Sequence, residues 1–156
     1  MARPSDIRSV LLDASCLIGV IKGEPDMHCL QSLLVAIERG DVRLVESTAI
    51  LAEVLPDHDS DDSGADSTRE AILSLLESTD VELVDVSVPV ARKAADFRVR
   101  YGMRTWDAVH LATGVVAGVD VVMARDGKFP FDETLEQVFV SKPFDIDDDK
   151  LPIGRE

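Results

Sequence analysis

The sequence predicts an α/β fold with a mostly parallel sheet covered by helices on both faces. Three observations carry this. Short apolar runs rich in Val, Leu and Ile recur along the chain at Ile7–Leu12, Val42–Val45, Val81–Val86, Val119–Met123 and Leu135–Val140, as buried strands do. Stretches with a 3.6-residue apolar period stand between them, as crossovers between parallel strands require. Hydrophobic residues make up 46% of the 156, so the chain has the means to bury a core.

Length and charge set further bounds. We expect one domain over residues 1–144, with an acidic, frayed tail at 145–156. No internal repeat or linker interrupts it. No apolar run reaches the roughly 20 residues of a membrane span, and Asp6 and Arg8 interrupt any signal-peptide core near the N-terminus. A cytoplasmic protein without membrane contact is the expectation. Cys16 and Cys29 show no C-x-x-C spacing, which points to small buried side chains and away from a zinc site or a disulfide framework. The formal net charge of −14 argues against broad, sequence-independent binding to nucleic acid. Asp outnumbers Glu and Arg outnumbers Lys, a composition that fits a salt-loving host.

Taken in order, the first strand ends on Asp13, where open α/β sheets bind ligands. Asp13-Ala14-Ser15 leads into a short helix through Leu17, Ile18 and Ile21, broken at Gly23-Glu24-Pro25, with Ser15 as its expected cap. Asp26 is the expected N-cap of a helix with Met27, Leu30, Leu34 and Ile37 on its apolar stripe and Gly40 at its end. After the second strand, Ser47 or Thr48 opens a helix that carries Glu53 and stops at Pro56. Residues 57–66 form a low-complexity acidic loop without the ligand spacing of an EF-hand. Ser67 and Glu70 then form a capping box for the helix through Ile72 and Leu76. The third strand, Val81–Val86, alternates apolar and acidic residues as an edge strand does.

Pro89 introduces a helix along Val90, Ala94 and Phe97 that ends near Gly102. This region, with Arg92, Lys93, Arg98, Arg100 and Arg104, is the most basic part of the chain. Thr105 is the expected N-cap of a central helix whose Ala108, Leu111, Ala112 and Val115 face the core and whose first turn holds Asp107. Asp126-Gly127 follows the fourth strand as a turn.

Four acids thus stand near the ends of apolar runs: Asp13, Glu53, Asp107 and Asp126. Right-handed crossovers bring Asp13 and Asp126 to one edge of the sheet. Clustered carboxylates repel one another unless cations neutralise them, and oxygen-only ligand sets suit Mg²⁺ or Mn²⁺. Such a site activates water for in-line displacement at phosphorus. No G-x-S-x-G elbow or Walker A loop is present, which leaves acyl transfer and NTP hydrolysis without support. His110 follows Asp107 by three residues on the central helix and reads as a satisfied core histidine.

The segments Leu11-Leu12-Asp13-Ala14-Ser15, Ala52-Glu53-Val54-Leu55, Thr105–Ala112 and Arg125-Asp126-Gly127-Lys128-Phe129 run in an order that resembles the PIN-domain ribonucleases, especially the VapC-type toxins of toxin–antitoxin pairs. The resemblance spans nearly the whole chain. It implies a three-layer α/β/α PIN-like fold with a mostly parallel five-stranded sheet, and Mg²⁺- or Mn²⁺-dependent endoribonuclease activity leaving a 5′-phosphate and a 3′-hydroxyl. Asp13 and Asp107 would be the principal metal ligands, and Glu53 would orient or deprotonate the attacking water. Asp126 would complete the acidic site or hold a second ion, so that all four acids, Asp13, Glu53, Asp107 and Asp126, would form the metal site, with Ser15 in support. RNA would be the substrate, with a protein antitoxin as partner and a homodimer as the family's usual assembly. Ala124 departs from the Thr or Ser that often precedes the fourth acid. A non-toxin RNA-processing nuclease and an inactive PIN-like binding module are the alternative readings.

Overall fold

The computed structural model describes residues 3–54 and 63–147, with the side chains of 63–66 left aside. Strand β1 (Ser9–Leu12) runs into helix α1 (Ala14–Lys22), which closes on Gly23 in the left-handed conformation (φ 71°). A 3-10 helix (Pro25–Leu30) and α2 (Gln31–Glu38) follow. Next come β2 (Arg43–Ser47), α3 (Ala49–Val54), α4 (Ser63–Leu76) and β3 (Val81–Val84). Helices α5 (Val88–Tyr101) and α6 (Thr105–Ala117) precede β4 (Val121–Met123), β5 (Thr134–Leu135) and β6 (Val138–Ser141).

The strand order is β3-β2-β1-β4-β6-β5. All pairings are parallel except β5 with β6. The sheet therefore has six strands where five were expected, and the reason is local. Glu136 and Gln137 both take positive φ (46° and 78°), which turns Leu135–Val140 into a tight hairpin of the primed type. Neither residue is the Asn or Gly that marks such turns in a sequence. β3 is an edge strand, as its alternating acids suggest.

Two apolar cores flank the sheet. On one face Leu12, Leu44 and Met123 pack against Leu17, Leu30, Leu33 and Ile72 from the helices α1 to α4. On the other, Leu11, Val45 and Val122 pack against α6 and α5 through Ala108, Leu111, Val90 and Phe97. The alternation of consecutive residues between faces is the period-two geometry of a strand. Helix α6 is buried over Ala108–Val115, and a Cβ at Gly114 would overlap Val122, so the missing side chain lets the helix lie against β4. At the N-terminal edge, Asp120 accepts from the backbone N–H of Arg8 (2.8 Å) and Ser9 (3.0 Å) and ties β1 to β4.

Several local expectations change. Asp13, not Ser15, caps α1. Glu24 precedes the 3-10 turn, so Asp26 is not a cap, and the buried stripe of α2 uses Leu33 where Leu34 was expected. Helix α4 starts at Ser63, inside the expected acidic loop, which places Ser67 within the helix and removes the capping box. Residues 55–62, with the expected stop at Pro56, lie outside the described residues. Arg104, extended at ψ 152°, precedes α6 in place of Thr105, and no side chain caps that helix. The tail is described as far as Asp147. There Ser32 Oγ donates to Asp145 (2.6 Å) and Ile146 packs on the first core.

Candidate active site

The first acid is fixed by the strand that precedes it and the helix that follows. Asp13 is 4% exposed. Its Oδ1 accepts from the backbone N–H of Cys16 at 2.9 Å, and Ser15 Oγ donates to its carboxylate at 3.1 Å. The carboxylate thus satisfies the free amide end of α1, where the helix dipole favours negative charge. Burial nevertheless raises its pKa above the ordinary aspartate value, while these hydrogen bonds and the neighbouring His110 pull the other way.

Asp107 sits in the first turn of α6. Its pKa is also raised, first by burial and then by the Asp13 charge. Glu53 is on the last turn of α3, and its Oε1 meets Nε2 of His110. A carboxylate only accepts, so Nε2 carries the proton. His110 is 1% exposed, and its Nδ1 has no hydrogen-bond partner among the described residues. The satisfied core histidine of the sequence reading is therefore satisfied on one nitrogen only, and by an acid of the site.

Asp126 is exposed on the turn after β4. Arg125 anchors that turn through an ion pair to Glu24 and a second contact to Asp26 (3.6 Å). Gly127 has φ 89°, and a Cβ on it would stand 3.1 Å from Asp107 Oδ2. The turn and the α6 N-terminus thus approach as closely as a glycine permits.

All four acids and Ser15 line one cleft of about 680 Å³ at the C-terminal edge of the sheet, with Arg104 and Lys128 on its wall. β1 and β4 are neighbours whose connections run to opposite sides, which makes their C-terminal ends the switch point where open α/β sheets bind ligands. Of the basic residues around α5, only Arg104 lines the cleft; Lys93 pairs instead with Glu136 at 2.6 Å.

Sequence reasoning missed one acid. Glu46 is on β2 and fully buried (0% exposed). Its Oε1 accepts from Leu12 N–H at 3.2 Å. Burial holds its carboxyl well above the ordinary glutamate range, and the charges of Asp13 and Glu53 push it further up. A signal existed: the strand Leu44-Val45-Glu46-Ser47 puts Glu46 on the same face as buried Leu44.

Among the described residues, no three His, Cys, Asp or Glu side chains converge tightly enough to hold an ion unaided. Mg²⁺ does not demand that, since it keeps several waters and takes one or two carboxylates. An oxygen-only set with two acids whose charged forms are disfavoured fits a hard divalent cation.

The family model described as the PIN domain matches residues 10–133. Similar solved structures include a toxin–antitoxin complex from Klebsiella pneumoniae (19% identity, TM-score 0.53, covering 75% of this chain and 86% of that one). A second is VapBC-5 of the VapBC toxin–antitoxin family from Mycobacterium tuberculosis (18%, TM-score 0.60, 86% and 98%). A third is VapBC2 from Rickettsia felis bound to a promoter DNA fragment (14%, TM-score 0.59, 86% and 98%). No curated protein sequence matches the chain. No described helix is long and apolar enough to cross a membrane.

Proposed function

The chain belongs to the PIN-domain family, and on that premise we propose that it is a metal-dependent endoribonuclease, the toxin of a toxin–antitoxin pair. The observation that carries this reading is the cleft that gathers Asp13, Glu53, Asp107 and Asp126 from four separate segments of the chain. Neighbours that are themselves toxin–antitoxin complexes support the toxin assignment.

In this reading Asp13 and Asp107 would hold Mg²⁺ or Mn²⁺, and Asp126 would complete the acidic site. When bound, the cation supplies Lewis acidity to the phosphate and lowers the pKa of the attacking water. Glu53 would accept a proton from the attacking water, and His110 holds the Glu53 carboxylate from behind through its Nε2. Ser15 keeps Asp13 turned toward the cleft. Arg104 and Lys128 meet the RNA phosphates in an otherwise acidic chain. The partner antitoxin lays an amphipathic helix in an apolar groove and places a basic side chain among the carboxylates.

The test is cleavage of a mixed RNA pool with Mg²⁺, Mn²⁺ or EDTA, at low and molar salt, beside Asp13→Asn. Metal-dependent cutting that vanishes in the variant supports the nuclease. Folded, metal-bound protein that cuts nothing supports a binding module instead.

A further inference from the structure

β1 and β2 part at the end of the sheet that carries the cleft. They pair through Ser9↔Arg43 and Val10↔Leu44 only. β1 continues along β4 to Leu12↔Met123, and β2 continues along β3 to Ser47↔Val84. Alternate residues of a parallel strand face alternate neighbours, so the N–H of Leu12 points toward β2 where the ladder has ended. A buried N–H left there would be unsatisfied. Glu46 Oε1 accepts it at 3.2 Å. On the other side, Asp13 N–H donates to the carbonyl of Met123 at 3.0 Å. The backbone is thus tied twice in succession, by β2 through a side chain and by β4 through its main chain, just where Asp13 leaves the sheet.

We propose that Glu46 is a positioning residue whose side chain replaces a β1–β2 ladder bond where the strands part, and so fixes the backbone that carries Asp13. The opening between the strands needs such a bridge, because a direct ladder bond would close it. An apolar side chain of similar size fills the space but leaves the Leu12 N–H alone. Glu46 Oε1 makes this bond, and its Oε2 has no hydrogen-bond partner among the described residues. The link to metal binding rests on the proposed role of Asp13; the link to the strand does not.

The experiment compares Glu46→Gln and Glu46→Met with the unmodified protein and with Asp13→Asn. Two quantities are read: hydrogen exchange of the Leu12 amide by NMR, and Mn²⁺ affinity by calorimetry, both well below the melting temperature. Glutamine keeps the acceptor and is expected to preserve Leu12 protection, with Mn²⁺ affinity within about threefold. Methionine is expected to speed Leu12 exchange at least about tenfold and to weaken Mn²⁺ about 10- to 100-fold, the range for partners that orient ligands. Loss of Mn²⁺ binding in Glu46→Gln to the extent seen in Asp13→Asn overturns the proposal, because Glu46 would then be a ligand. Unchanged exchange and affinity in Glu46→Met overturn it too. If Glu46→Met does not fold, the glutamine variant decides by the same two readings. If the unmodified protein binds no Mn²⁺, the nuclease reading fails, and Leu12 exchange alone decides whether Glu46 holds β1.

Discussion

Nε2 of His110 and Oε1 of Glu53 are hydrogen-bonded across 57 positions of sequence, joining the buried middle of α6 to the last turn of α3. The partners differ in exposure: the His110 side chain is 1% exposed and that of Glu53 24%. Removing the imidazole by His110→Ala leaves a cavity in the core and a carboxylate without its donor. Large-to-small core changes and lost hydrogen bonds to charged groups suggest a stability loss of about 2–4 kcal/mol. Cleavage is expected to fall more than tenfold under conditions where the variant remains folded, measured against denaturant melts of the same preparation.

Asp13 and Glu46 give the metal-free protein a definite pH dependence. Both pKa values are raised by burial above the ordinary 3.8 and 4.5. The folded state therefore binds more protons than the unfolded chain once pH exceeds those values, and stability falls as pH rises through the folded-state pKa values. Chemical denaturation between pH 4 and 8 in EDTA should show this decline, and Glu46→Gln should flatten part of it. Added Mg²⁺ should recover stability at the upper end, since the proposed metal site would take ionised Asp13 as a ligand. A metal-free stability that climbs steadily from pH 5 to 8 contradicts the assignment.

Asp13→Asn separates folding from function. Asparagine retains an oxygen for the Cys16 N–H, and it caps helices as well as aspartate does. It also removes a buried charge that Asp107 feels as repulsion. The melting temperature in EDTA should therefore match or exceed that of the unmodified protein, while the rise on adding Mn²⁺ disappears.

Two glycines form a controlled pair. Gly118 (φ 68°) has open space where a Cβ would go, whereas at Gly127 (φ 89°) the Cβ would press on Asp107 Oδ2. Alanine at either position costs about 1–2 kcal/mol in backbone strain. Gly127→Ala should in addition shift the Mn²⁺ midpoint, and Gly118→Ala should not. Equal midpoints would show that the Asp126 turn does not govern Asp107.

These expectations rest on features that the sequence exposes unevenly. The strand cores around Val10–Leu12 and Val121–Met123, and the helix ends at Gly23 and Gly102, are legible because periodicity and glycine are local signals. Asp13 and Asp126 are legible as acids near strand ends. Glu53 and Asp107 sit on helices, and their meeting depends on how α3 and α6 pack, which the PIN resemblance supplies and periodicity does not. The hairpin at Glu136-Gln137 was hidden because neither residue is a turn former. The early start of α4 at Ser63 was hidden by an acidic composition that reads as loop. Glu46 was overlooked for a different reason: the expected second strand stops at Val45, whereas it runs to Ser47, and the burial of Glu46 depends on both neighbouring strands and the helices above them.

The most direct test of the central claim is Mn²⁺ binding to the folded protein by calorimetry, with Asp13→Asn and Asp107→Asn beside it. The account predicts saturable binding that either substitution weakens at least tenfold while the melting temperature in EDTA holds. Binding that survives both substitutions, or none at all in a protein that still cuts RNA, would contradict it.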